Sequence, residues 1–97
     1  MSKLADVLEK LRGGIREVDY QILKLVKKRL QLAREIGEIK RKRGLPVVDS
    51  SVEETVIERA LMWGRKLDLD QSFTTKLVDL LITEAVRVQG DISKDEM

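Results

Sequence analysis

Three cations in the first half of the chain, Arg12, Arg29 and Lys40, stand on or beside a stripe that should be apolar. From Leu4 to about Lys42 there is no proline. Apolar residues recur there at Leu4, Leu8, Leu11, Ile15, Val18, Ile22, Leu25, Leu32, Ile36 and Ile39, the spacing of an amphipathic helix. At about 100° per residue, Arg29 and Lys40 fall about 20° apart near the middle of the stripe, and Arg12 lies about 100° round from Arg29. A charge turned inward is costly unless it is paired, so Arg29 and Lys40 call for a protein carboxylate or a bound anion. Each has an ordinary alternative. Arg29 can pair with Glu17 or Glu58, Lys40 can snorkel to water, and Arg12 can lie on the surface.

Composition narrows the chemistry. The 97 residues include no Cys and no His. Disulfides, thiolate or imidazole catalysis and the usual zinc sites are thereby removed, although carboxylates can still hold magnesium or calcium. No cofactor or metal is expected. Net charge is +2 although 37% of residues are charged, so basic and acidic groups are interspersed and no block exists to track nucleic acid. There is no apolar run near the roughly 18 residues of a membrane span, and Met1-Ser2-Lys3 opens no signal peptide. The expectation is a soluble cytoplasmic protein forming one domain over residues 1–97.

The elements that must hold these residues are three helices, which makes the fold class all-α. The first runs from about residue 4 to 42 and stops at Gly44, with Pro46 two residues beyond, as helix ends do. Gly13-Gly14 is a place where it could kink. Asp49-Ser50-Ser51 followed by Glu53 and Glu54 reads as a capping box opening a second helix, with Val52, Val56, Ala60, Leu61 and Trp63 apolar, to about Lys66. Asp68-Leu69-Asp70 is the turn. Ser72 or Asp70 can cap a third helix, whose buried face is Phe73, Leu77, Leu80, Leu81, Ala85 and Val88, up to about Gln89. Gly90 should end it, leaving residues 91–97 as a frayed tail.

Length then calls for a partner. Some 38 helical residues reach roughly 57 Å at 1.5 Å each, whereas a compact 100-residue domain has a radius of gyration near 13 Å. The two shorter helices cannot cover such a helix, so an intertwined antiparallel homodimer is the economical solution. There Arg12, pointing differently, can serve the pocket of the other subunit.

The ordered set Arg12, Asp19, Arg29, Gly37, Lys40, Pro46, Asp49, Glu53 and Gln89 resembles the all-helical class of chorismate mutases over nearly the whole chain. The resemblance implies an intertwined helical dimer with two equivalent sites, converting chorismate to prephenate on the way to phenylalanine and tyrosine (the shikimate route). It also implies roles: Arg12 of the other subunit and Arg29 hold the two substrate carboxylates, Lys40 and Gln89 donate to the ether oxygen of the breaking bond, and Asp49 and Glu53 hold the ring hydroxyl. The sequence departs at Val52, where many relatives carry another Arg, and at Ala85, where some carry Ser. Arg59 is a cation that could replace the one missing at Val52. No dehydratase or dehydrogenase segment is fused, so the chain looks monofunctional.

A reaction that is intramolecular suits a chain without nucleophilic His or Cys. Holding a flexible dianion in its chair-like shape and stabilising charge on the ether oxygen would be sufficient. Taken singly, several of these residues have structural readings. Asp49 can be a helix cap, Glu53 its capping-box partner, and Gln89 can satisfy a helix end. Two other functions fit the same chain: an isochorismate pyruvate lyase on this fold, or a non-catalytic helical dimer that binds a partner.

Overall fold

The computed structural model describes residues 3–95; the readings made above for Met1, Ser2, Glu96 and Met97 lie outside them. The described residues form three helices and no strand: α1 (Lys3–Arg43), α2 (Ser50–Lys66) and α3 (Gln71–Asp95). Two compact units divide after Gln31.

The first unit is the N-terminal part of α1. It is helical through Gly13 and Gly14, and a Cβ at Gly14 would meet nothing within 4 Å. An interior glycine costs about 1 kcal/mol against alanine, which a long run of helix formers absorbs. The apolar stripe lies open in the single chain: Leu8, Leu11, Ile15, Val18, Ile22 and Leu25 are all about half or more exposed.

The second unit holds the end of α1, α2 and α3. Its end of α1 buries Ala33 and Gly37 but leaves Leu32, Ile36 and Ile39 exposed. Gly44 takes φ 67°, the left-handed conformation a glycine reaches without a Cβ penalty. There Leu45 N–H donates to Lys40 O at 2.8 Å and Gly44 N–H to Arg41 O at 3.2 Å, which is the Schellman closure. Pro46 follows and cannot resume the helix.

Asp49 caps α2: its Oδ1 accepts from Ser51 N–H at 3.1 Å, Val52 N–H at 3.3 Å and the Ser51 hydroxyl at 2.8 Å. The expected capping box is not formed. With Asp49 at the N-cap, the third helical position is Val52, so Glu53 stands one residue too late to reach back. The other end of α2 repeats the closure of α1 with a different residue. Asp68 adopts φ 58°, while Leu69 N–H donates to Gly64 O and Asp68 N–H to Arg65 O.

Asp70 then caps α3, its Oδ2 accepting from Phe73 N–H at 2.9 Å. Where α2 and α3 pack, Gly64 is buried against Thr74: a Cβ at Gly64 would lie 2.9 Å from Thr74 Oγ1 and 3.0 Å from its Cγ2. Thr74 and Val78 are 6% and 5% exposed, and this side of α3 continues to Leu81, Ala85 and Gln89. The expected face of α3 is therefore corrected in part. Leu81, Ala85 and Val88 are half-buried, but Phe73, Leu77 and Leu80 remain exposed in the single chain. Small residues let α2 approach on the Thr74 side, which leaves a second apolar face turned outward. Val52 and Trp63 of α2 are exposed too, at 55% and 51%.

The stop expected at Gly90 is also corrected, since α3 continues to Asp95. Gly90 does not take a positive φ, and Arg87 binds Glu84 before it and Asp91 beyond it, the latter at 2.9 Å. Without the left-handed turn a glycine is only a weak helix former, and pairs spaced three and four residues apart hold the turn around it.

Candidate active site

The centre of the second unit is the Lys40 ammonium. The side chain leaves the last turn of α1, half-buried, and donates to Val47 O at 2.8 Å and to Gln89 Oε1 at 3.1 Å. Snorkelling is thus not what this lysine does. Gln89 arrives from α3, one turn beyond Ala85, and is only 7% exposed. Residues 49 positions apart in the chain are brought together.

The direction of this hydrogen bond fixes the glutamine. Its Oε1 is engaged by Lys40, so its NH2 group is the end left to donate elsewhere. The ammonium has three protons, of which two are engaged here. What remains is one amide donor and one cationic donor from adjacent groups. Such a pair can meet a single oxygen that accumulates negative charge, and in a water-poor site it would stabilise that charge strongly.

Asp49 lies at the edge. Its carboxyl is held below the usual carboxylate range, first by the Ser51 hydroxyl, then by the Val52 and Ser51 amides, with the positive charge of Lys40 adding to them. It is therefore an anion occupied with the cap. Glu53, half-buried on the first turn of α2, makes no side-chain hydrogen bond or ion pair among the described residues and is the acid open to a ligand. Val52 is exposed beside it. Arg59, the cation that could replace an arginine at Val52, has its guanidinium 5.2 Å from the Trp63 ring centroid, a cation–π contact. Ala85 is half-buried and offers no polar group.

The two arginines belong to the first unit: Arg12 is exposed and Arg29 half-buried. No three acidic side chains gather into a metal site among the described residues, and none of the described helices is long and apolar enough to cross a membrane. The value of the contact from Val47, a main-chain acceptor, could not be read from residue types. The only signal for it was Pro46, which fixes the loop.

An ammonium and an amide are thus set side by side on an all-helical frame. The sequence carries that frame to a family: residues 11–90 match chorismate mutase type II, and the chain belongs to this family of isomerases. It is 32% identical over 79 residues to the chorismate mutase of Methanocaldococcus jannaschii, covering 81% of this chain and 80% of that one. Identity to the 4-amino-4-deoxychorismate mutase of Streptomyces venezuelae is 32% over 89 residues, 92% of this chain and 86% of that one. The bifunctional chorismate mutase/prephenate dehydratase of Escherichia coli K12 is 34% identical over 79 residues, which are 81% of this chain but 20% of that protein. Among solved structures, a conserved hypothetical protein from Pyrococcus furiosus superposes with a TM-score of 0.70 at 31% identity, covering 92% of this chain and 99% of that one.

Proposed function

We propose that this chain rearranges chorismate to prephenate in the cytoplasm, as an intertwined antiparallel homodimer with two shared sites, on the route to phenylalanine and tyrosine. The observation that carries this reading is the Lys40–Gln89 pair, which leaves one cationic and one amide donor for the same acceptor. In the reaction the ether C–O bond breaks while a C–C bond forms within the same molecule, and negative charge grows on the ether oxygen. Lys40 and Gln89 donate to that oxygen. Their contacts strengthen only as the bond breaks, so they raise kcat more than they lower KM.

Arg29 and Arg12 of the second copy take the two carboxylates by bidentate forks and hold the chair-like shape. Glu53 accepts from the ring hydroxyl, with Asp49 beside it. Val52 and Ala85 complete the wall without charge, so carboxylate binding rests on the two arginines. A millionfold acceleration corresponds to about 8 kcal/mol, which two donors and restriction of the substrate can supply together. The dimer is supported by the exposed apolar stripe of the first unit and by Phe73, Leu77 and Leu80 in the second, surfaces that a single chain leaves in water.

Purified protein incubated with chorismate should consume the substrate's diene absorbance and yield prephenate. Pyruvate from isochorismate would establish the lyase instead, and no turnover of either would leave a binding module. The likeness to the S. venezuelae enzyme makes 4-amino-4-deoxychorismate the second substrate to assay. Sharing of sites is tested by mixing Arg12→Ala with Arg29→Ala chains, each inactive alone: heterodimers regain one intact site, and no recovery after full exchange would rule out sharing.

A further inference from the structure

Lys40 has an acidic neighbour, yet what it binds is neutral. Its ammonium donates to the main-chain oxygen of Val47 and to an amide oxygen, while the Asp49 carboxylate is drawn to Ser51 and Val52. A carboxylate partner would hold the lysine but cancel its field; a carbonyl holds it and leaves the field intact. The loop from Leu45 to Asp49 is fixed at both ends to make this possible. Leu45 N–H is tied to Lys40 O at 2.8 Å, and Asp49 caps α2. Val47 lies between these two anchors, half-buried.

We propose that the main-chain carbonyl of Val47 is a positioning group for the reaction: it aims the Lys40 ammonium, and through Lys40 the amide of Gln89, at the substrate oxygen without neutralising the charge. This rests on the reading that Lys40 and Gln89 donate to the ether oxygen. Val47 acts through its backbone, so its side chain is replaceable by another of similar size. A lysine with four rotatable bonds, released from one of its two acceptors, samples more orientations and presents its proton correctly for less of the time. Gln89 loses the fixed donor that sets which end of its amide faces the ligand.

The test is an amide-to-ester exchange, accessible by chemical synthesis of a 97-residue chain. Replacing Val48 by its α-hydroxy acid turns the Val47 carbonyl into an ester carbonyl, a weaker acceptor. It also removes the Val48 N–H, which makes no hydrogen bond among the described residues. The expected result is a kcat about threefold to tenfold lower, the loss of one ordinary hydrogen bond, with KM within twofold and unchanged helix content. The same exchange at Asp70 in the other connection, which weakens the Leu69 carbonyl and removes an N–H that makes no hydrogen bond among the described residues, should leave kcat unchanged.

On a Lys40→Ala background the Val48 ester should cause no further loss, because the group it positions is gone. An unchanged kcat, or an equal proportional loss with and without Lys40, overturns the proposal. Should residual activity of the Lys40→Ala chain be too low to compare, 15N relaxation of the Lys40 ammonium decides: its order falls in the Val48 ester and not in the Asp70 ester, and equal order in both overturns the proposal. A Lys40→Ala chain with full kcat would instead remove the underlying reading of the site, a separate and recognisable outcome.

Discussion

The two connections of the second unit are built alike and used differently. Each begins with the same pair of closing hydrogen bonds around a left-handed residue, Gly44 after α1 and Asp68 after α2, and each hands over to an aspartate cap, Asp49 or Asp70. After Gly44 the loop carries a carbonyl to Lys40. After Asp68 it only turns the chain so that Gly64 meets Thr74. The same closure thus holds a lysine ammonium in one place and a helix contact in the other, and the difference lies in what the intervening backbone touches.

Substitutions on the two sides should separate these uses. The largest effect belongs to the first connection: Lys40→Ala should lower kcat about a hundred- to a thousandfold with little change in KM or Tm, as loss of a positioned electrostatic donor does. Steady-state kinetics check this, and a change confined to KM would refute the assigned role. Gly64→Ala, on the second connection, should do the reverse. A Cβ 2.9 Å from Thr74 Oγ1 forces a buried, β-branched neighbour to shift, and denaturant titration should show a loss of about 1–3 kcal/mol, with kcat per folded chain preserved.

A smaller change of opposite sign is expected at Asp68, where a side chain occupies the left-handed region at φ 58°. Asp68→Gly removes that strain and should stabilise by about 0.5–1 kcal/mol net of the entropy glycine adds to the unfolded chain; a loss of stability would mean that the aspartate side chain contributes something unseen. The smallest effect is a slope. The carboxyl of Asp49 is held below its ordinary value, so it contributes stability that is present above the ordinary carboxylate range and is lost as pH falls through the lowered one. Asp49→Asn keeps an acceptor for the cap but does not titrate. Its Tm should match the parent more closely as the pH becomes acid, and an undiminished acid dependence would assign that slope to other carboxylates.

These local features were unequally legible. Gly44 followed by Pro46 and the Asp49 cap could be read from residue type, because each obeys a rule satisfied within a few neighbours; for the third helix residue type offered Ser72 or Asp70, and the structure decides for Asp70. Periodicity grouped Leu77 and Leu80 on one apolar face, but the burial expected of that face is not found in the single chain. The single chain covers the Thr74–Val78 side instead. The fit of Gly64 against Thr74 depends on two helices meeting at one height, and no spacing within either reports it. The meeting of Lys40 with Gln89 was legible only through likeness to a family, since nothing local links residues 49 positions apart. Glu53 stands one position beyond the one a capping box requires, an offset set by which residue caps the helix, Asp49 and not Ser50.

Lys40 is attached twice to one short loop, by its carbonyl to Leu45 and by its ammonium to Val47. The loop is in this sense a ruler, with its zero mark on the backbone of the residue whose tip it measures out. Insertion or deletion between Leu45 and Asp49 would move the mark by a whole residue, a distance no rotamer of Lys40 could make good. The turn between α2 and α3 measures nothing so exacting. Lengthening it should be tolerated wherever Asp70 can still cap α3, so variation in chain length has room to accumulate at one connection and almost none at the other.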